Sequence, residues 1–374
     1  MKLLKTLSLG TVLAIAAQTP VFAQNKAVAI GYQAPLTGEN AQYGILFRNS
    51  ATMAVETFNK SGKLPGVTIV LKFEDSKGDA KDGVNIAKKF VDDTQIVGVL
   101  GDFSSTVSMA AAQVYKEAKM PQLSQTASHP DYVKISEWQF RNITTQAYEG
   151  PFVARWAMGN PHLKKFAIVG IQNDWGQSAV QNFADGVKAN GGEVVSTEFF
   201  NPGTRDFRAI LTKVARERPD AVYMAMFYED GAAFLQQRLQ LGMKTPVFAT
   251  SSLYSPKVIE LAGPAANGLF LSSTFMKENS SPNVQAYVKE YTARYKSEPD
   301  QFSAQAFDAT NIMLDAIVRA GGAGATRQKV RDALAATKNF PGVTGNTTFD
   351  PVTREPSKTL ARMQIRDGRF VVVQ

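Results

Sequence analysis

Apolar and polar positions follow two rhythms that take turns along this chain. Short β-rich runs at 28–32, 67–73, 96–100 and 121–124 are separated by stretches in which apolar side chains return every three or four residues. In 43–59 that stripe is Leu46, Ala51, Ala54, Val55 and Phe58, and in the next it is Val84, Ala87, Phe90 and Val91. A third helix is predicted over 105–117. Alternation of this kind predicts parallel strands with helices on both faces.

The rhythm then restarts. Helices are predicted over 147–158, 178–189, 207–216 and 232–241, and strands over 166–171, 194–199, 221–227, 247–250 and 268–273. Asn190-Gly191-Gly192 stops one of these helices, because glycine tolerates the left-handed cap. Helices over 284–295, 303–320 and 326–336 follow. The chain closes on a hairpin, 361–365 and 370–373, around Asp367-Gly368. Gly321-Gly322-Ala323-Gly324 follows a helix rather than a strand, so it reads as a helix–helix connector and not as a phosphate loop. The fold class is α/β, with two doubly wound units and no low-complexity linker between them.

The first 23 residues carry a different pattern. Lys2 and Lys5 precede an apolar run over 7–17, and Val21-Phe22-Ala23 ends it with small residues at the positions a signal peptidase requires. The run of about 11 residues is too short to span a bilayer, which takes roughly 20. The chain has no cysteine, which excludes disulfides, a thiolate metal site, a cysteine nucleophile and a lipid-modified cysteine after the signal. The expectation is a soluble protein exported to the periplasm.

Cleavage after Ala23 removes two Lys and leaves 351 residues with a formal charge of +6, down from +8. That length implies two domains, because single cores stop growing near roughly 250–300 residues. The positive balance favours anionic ligands only weakly, since Lys and Arg are scattered and their clusters are pairs such as Lys88-Lys89 and Lys164-Lys165. No basic stripe or nucleic-acid module is present. His129 and His162 are the only histidines, each on a turn beside a proline, and read as solvated. There is no G-x-S-x-G elbow, Walker loop or G-x-G-x-x-G after a strand. The acidic pairs Asp92-Asp93 and Glu229-Asp230 sit at helix ends, as surface and capping residues do. No enzyme, metal or cofactor is expected.

The loops at the carboxyl ends of the strands, where open α/β sheets bind ligands, are rich in hydroxyls and rings. Gly101-Asp102-Phe103-Ser104-Ser105-Thr106 runs straight into a helix, and Ser124-Gln125-Thr126-Ala127-Ser128-His129-Pro130 follows the next strand. Hydroxyls and free N–H groups at a helix N-terminus suit a carboxylate. Ser105 and Thr106 are equally placed for plain N-capping.

From Ala27 to its end the chain resembles the leucine/isoleucine/valine-binding group of periplasmic binding proteins. The resemblance is carried by Ala34-Pro35-Leu36-Thr37-Gly38 with Gln42-Tyr43-Gly44, the 101–105 loop, Pro121-Gln122-Leu123-Ser124, Ala127-Ser128-His129-Pro130, Asn173-Asp174-Trp175-Gly176 and Phe307-Asp308-Ala309. It implies two doubly wound lobes, 24–144 with 275–350 and 145–274 with 351–374, joined by three crossings near Thr144, Phe275 and Asp350. It implies a monomer that delivers a small carboxylate-bearing ligand, foremost an apolar amino acid, to the membrane permease of an ABC importer. Ser105 and Ser128 match the hydroxyls that hold the carboxylate, with Thr126 offering a backbone contact and Ala127 in the same loop. Tyr43, Trp175, Phe227 and Tyr228 match aromatics beside the ligand. Two positions depart. Ser251 falls near a position where a glutamate can meet the ammonium, and Gln146 stands where an aspartate is common. Either Glu229, Asp230 or Asp174 substitutes, or the ligand is an organic or aromatic acid without an ammonium. Use as a sensor co-receptor fits the same fold.

Overall fold

Two sheets form where the two rhythms run. The computed structural model describes residues 26–373, so the export signal expected over 1–23 lies outside the described residues. The first rhythm gives β1 (Lys26–Ala34), α1 (Ala41–Lys60), β2 (Val67–Asp75), α2 (Ala80–Asp92), β3 (Ile96–Leu100), α3 (Ser105–Glu117), β4 (Gln122–Ser124) and β5 (Gln139–Arg141). These strands pair in parallel in the order β2-β1-β3-β4-β5. The second gives α4 (Gln146–Met158), β6 (Lys165–Ile171), α5 (Asp174–Ala189), β7 (Glu193–Phe200), α6 (Arg208–Arg216), β8 (Ala221–Ala225), α7 (Tyr228–Gln240), β9 (Val247–Ala249), α8 (Pro256–Ala262) and β10 (Leu269–Ser273). Then α9 (Pro282–Tyr295), α10 (Gln301–Arg319) and α11 (Arg327–Ala335) return to the first lobe, and β11 (Ala361–Arg366) with β12 (Arg369–Val372) completes the second sheet. Its order is β12-β11-β10-β9-β8-β6-β7, parallel except for the terminal hairpin and its pairing to β10.

Central strands such as β3 (Ile-Val-Gly-Val-Leu) and β8 (Ala-Val-Tyr-Met-Ala) are buried along their whole length, as expected for strands covered on both faces. Helices α2 and α3 pack together on one face of the first sheet, and α1, α10 and α11 cover the other. The largest apolar cluster is continuous through both lobes, and Tyr43, Phe103, Phe227, Tyr228 and Phe302 all belong to it. The chain passes between the lobes three times, after β5, after β10 and after α11.

Four elements differ from the sequence reading. Strand β5 is only three residues long and polar at both ends, so it gives no apolar run. Helix α8 was not expected; Pro256 opens it and the Ser255 hydroxyl caps it by accepting the Lys257 N–H. Helices α5 and α7 each start one turn earlier than their apolar stripes, at Asp174 and Tyr228. Their first turns face the other lobe, and a periodicity argument detects only the stripe on a helix's own core. Asn173 fixes the start of α5 by accepting the Gly176 N–H at 2.8 Å.

Two glycines set how closely these helices follow their strands. A Cβ on Gly44 would lie 1.9 Å from the Pro35 carbonyl oxygen, and one on Gly176 would lie 2.0 Å from that of Ile171. Both obstacles are backbone, so side-chain movement cannot relieve them. Gly176→Ala is expected to lower stability by about 1–3 kcal/mol or more, the usual result of overpacking. Gly324→Ala, with open space around it, is expected to stay within about 0.5 kcal/mol. Urea denaturation midpoints of the two variants check this.

Candidate functional site

The carboxyl ends of both sheets face each other across a cleft. On the first-lobe side, the loop after β3 leads into α3. Ser104 is the residue that caps that helix, accepting the Val107 N–H. Ser105 is thereby released from capping; its hydroxyl accepts the His129 N–H at 3.2 Å and lines the cavity. Asp102 is buried beneath the loop, where its carboxylate accepts the Phe103 N–H at 2.6 Å and the Gln33 side-chain N–H at 3.2 Å. Thr126 donates its hydroxyl to the Phe103 carbonyl at 2.8 Å and so ties this loop to the one after β4.

The second loop is anchored more heavily. The Ser124 hydroxyl accepts the N–H groups of Thr126 (3.3 Å) and Ala127 (2.9 Å). Arg141 on β5 is wholly buried, and its Nη1 donates to the carbonyls of Ala127 and His129, each at 2.8 Å. The carbonyl between them, that of Ser128, accepts the Gln146 backbone N–H at 2.9 Å. Three successive carbonyls are thus committed to the scaffold. The Ser128 hydroxyl accepts Trp175 Nε1–H at 3.0 Å and Gln146 Nε2–H at 3.0 Å. Both of its acceptor positions are filled, so its one hydrogen is left to donate.

The opposite wall is aromatic. Trp175, in the first turn of α5, stacks on Phe227 at 4.9 Å and 17°. Phe103 approaches Phe227 to 5.1 Å. Ser251 and Ser252 follow β9, and Gln301 and Phe302 begin α10. Of the residues expected at the site, Ser105, Thr126, Ser128, Trp175, Phe227 and Ser251 line the cavity. Tyr43, Ala127 and Tyr228 stand behind that lining. Tyr43 is fully buried and stacks on Phe103 at 4.0 Å. Its hydroxyl accepts the Tyr228 N–H and donates to the Ser252 carbonyl, both at 3.1 Å, and so joins the lobes. Phe103 and Ser104, quoted within the candidate loop 101–106 but given no contact of their own, also line the cavity, as do Ile143, Ser252, Gln301 and Phe302, which were not singled out in the sequence. The Asp300–Ser303 capping box marks the start of α10 and could have located Gln301 and Phe302.

The acids are arranged differently from expectation. Arg205 holds Glu229 at 2.9 Å and Asp230 at 3.2 Å, and reaches across the lobes to Glu39 at 2.7 Å, so both candidate acids belong to a cluster at the rim. Asp174 is exposed and does not line the cavity. Buried beside the lining residues Gln146 and Ser251 is a further acid, Glu149, unremarked in the sequence. One oxygen accepts the Ser251 N–H at 2.6 Å and the Ser272 hydroxyl at 2.5 Å, and the other accepts Gln146 Nε2–H at 2.8 Å. His129 is also corrected. It is half-buried, with Nδ1 accepting the Asp131 N–H at 3.1 Å, while His162 is exposed as expected.

The family model described as periplasmic binding protein matches residues 27–369. The chain belongs to that family. A solved structure of a Rhodospirillum rubrum protein is 47% identical, with 93% of this chain and all of that chain covered and a TM-score of 0.70. The Leu/Ile/Val-binding protein BraC3 of Rhizobium johnstonii is 27% identical over 372 residues, 99% of this chain and 100% of its own length. The branched-chain amino acid transporter substrate-binding protein LivJ of Streptococcus pneumoniae, solved in complex with isoleucine, is 25% identical with a TM-score of 0.86, covering 93% of this chain and 99% of its own. Among the described residues of this periplasmic binding protein, no helix is long and apolar enough to cross a membrane.

Burial also shapes how this binding protein responds to pH. It pushes the carboxyl groups of Asp102 and Asp300 up to about 6 and that of Asp230 up to about 7, the last against the pull of Arg205. A carboxyl raised on folding binds its proton more tightly in the folded chain, so it costs stability above its folded pKa and the cost is relieved as pH falls. His129 acts in the opposite sense, because burial lowers its pKa and the fold loses stability as pH drops below the ordinary histidine value. Asp93, Asp131, Asp220 and Asp350 are lowered chiefly by hydrogen bonds. Their contribution disappears only near and below the ordinary carboxyl range. Burial raises the carboxyls of Asp308 and Glu355 as well, and five raised carboxyls against one imidazole predict a thermal midpoint higher at about pH 5 than at about pH 7.5, falling again below about pH 4. A midpoint that falls steadily from pH 7.5 to 5 in calorimetric scans would contradict it.

Proposed function

We propose that this chain is the exported, periplasmic substrate-binding component of an ABC importer and that its cleft takes an α-amino acid with an apolar side chain. The observation that carries the reading is the Ser128 hydroxyl. It accepts one N–H from Trp175 on α5 and one from Gln146 at the lobe crossing, and keeps its own hydrogen for an acceptor in the cavity. The Ser105 hydroxyl and the N-terminus of α3 stand on the same wall, an arrangement that suits a carboxylate. The rings of Phe103, Trp175, Phe227 and Phe302 offer the apolar surface that a hydrocarbon side chain needs. The family membership and the relatives named for leucine, isoleucine and valine support the same class.

The lobes, 24–144 with 275–350 and 145–274 with 351–374, close over the ligand about the three crossings and present a joint surface to a membrane permease. The protein acts as a monomer and performs no chemistry on what it binds. One observation favours a second reading, a simple organic or aromatic acid. No Asp or Glu among the described residues lines the cavity to meet an ammonium.

Calorimetric titration with leucine, isoleucine and benzoate separates the two. The amino acids are expected to bind and benzoate is not; the reverse would establish the acid reading. Ser105→Ala and Ser128→Ala are each expected to weaken amino-acid binding about tenfold to a hundredfold, since a hydrogen bond to a charged group contributes roughly 1.5–3 kcal/mol. Unchanged affinity in both would remove the carboxylate assignment.

A further inference from the structure

A buried chain of hydrogen bonds runs behind the cavity wall, from Ser128 through the side-chain amide of Gln146 to Glu149 and on to the Ser251 backbone. Its geometry fixes which way the amide faces. Gln146 Nε2 lies 3.0 Å from the Ser128 hydroxyl and 2.8 Å from Glu149 Oε2. A flipped amide would set two oxygens without a hydrogen against each other at the glutamate, so the nitrogen is held on that side. Gln146 lines the cavity and is 2% exposed, and its Oε1 is buried with no partner in the protein. The amide therefore offers one unsatisfied acceptor beside the Ser128 hydroxyl, which offers one unsatisfied hydrogen.

Glu149 itself is anomalous in a second way. Its three partners, the Ser251 N–H, the Ser272 hydroxyl and the Gln146 amide, are all neutral. No Lys or Arg among the described residues forms an ion pair with it, although it is 2% exposed. Buried charge is disfavoured unless it is paired.

We propose that Glu149 is the specificity residue for the ligand's ammonium, acting through Gln146: it holds the amide with its oxygen free for the ligand's N–H, and it supplies the negative charge that the cation complements. The inference rests on the amino-acid reading above and answers how a cavity without a lining carboxylate takes a zwitterion. In an α-amino acid the accepting carboxylate oxygen and the donating ammonium nitrogen are three bonds apart. A donor at Ser128 beside an amide that keeps one free acceptor, the two residues joined by the 3.0 Å Nε2–Oγ hydrogen bond, presents the complementary pair on one wall. An acid of the same shape without the amino group leaves Gln146 Oε1 unpaired and Glu149 without a cation, so the site discriminates against it as sites built around a hydrogen bond do.

The test is a comparison of leucine with its deaminated analogue, 4-methyl-2-oxopentanoate, on purified wild-type protein, Glu149→Gln and Gln146→Met. Both ligands carry the same carboxylate and side chain. Wild-type protein is expected to prefer leucine. Glu149→Gln is expected to weaken leucine about tenfold or more while leaving the keto acid within about threefold, so that the preference collapses. Gln146→Met removes the acceptor and is expected to do the same, and it decides the matter by the same ratio if Glu149→Gln does not fold. Two results overturn the proposal and can be told apart. If wild-type protein binds leucine and the variants weaken both ligands equally, Glu149 is a structural support. If wild-type protein binds the keto acid and no amino acid, the amino-acid reading itself fails and this inference falls with it.

Discussion

The cleft depends on residues 127–129 keeping their carbonyls committed to the scaffold. Arg141 enforces this from beneath. A wholly buried guanidinium is costly unless its hydrogens are used; here Nη1 is spent on the carbonyls of Ala127 and His129, Glu355 balances the charge with its carboxylate 3.0 Å from Nε, the Tyr132 ring lies 5.5 Å away, and Nη2 makes no hydrogen bond. The charge buried in β5 and the shape of the binding loop are therefore one constraint. Without those two acceptors the arginine would have no reason to be there. Without the arginine Ser128 would keep its bonds to Gln146 and Trp175, but the carbonyls on either side of it would lose their donor.

The same economy links the lobes. Tyr43 is buried between Phe103 and Tyr228, and its hydroxyl is shared between a backbone donor and a backbone acceptor of the opposite lobe. Around it the aromatic rings make one continuous apolar cluster through both lobes. At the rim, Arg205 pairs with Glu39 across the gap, but that pair is about half-exposed on both sides. An exposed pair contributes only about 0–1 kcal/mol, so the rings and the buried hydroxyls, rather than the rim charges, hold the lobes in register. Polar groups are concentrated where a ligand can satisfy them, and the walls around them are apolar.

Much of this was legible in the residues. The alternation of short apolar runs with three- and four-spaced stripes determined the two doubly wound units, and Asp367-Gly368 determined the last turn, where both residues take positive φ, 49° and 68°. The hydroxyl-rich segments after β3 and β4 marked one wall of the cavity, because position at a strand's carboxyl end is a property of chain order. What remained out of reach required two parts of the chain to meet. Nothing near Arg141 says that it will be buried against residues 127 and 129. Nothing near Glu149 says that its partners are Ser251 and Ser272, more than a hundred residues away. Glu229 and Asp230 read as available acids until Arg205 is placed beside them. Local periodicity records which face of an element is apolar, and so it yields elements and their order. The partner of a buried polar group is chosen by the packing of distant segments, and only the tertiary structure decides that.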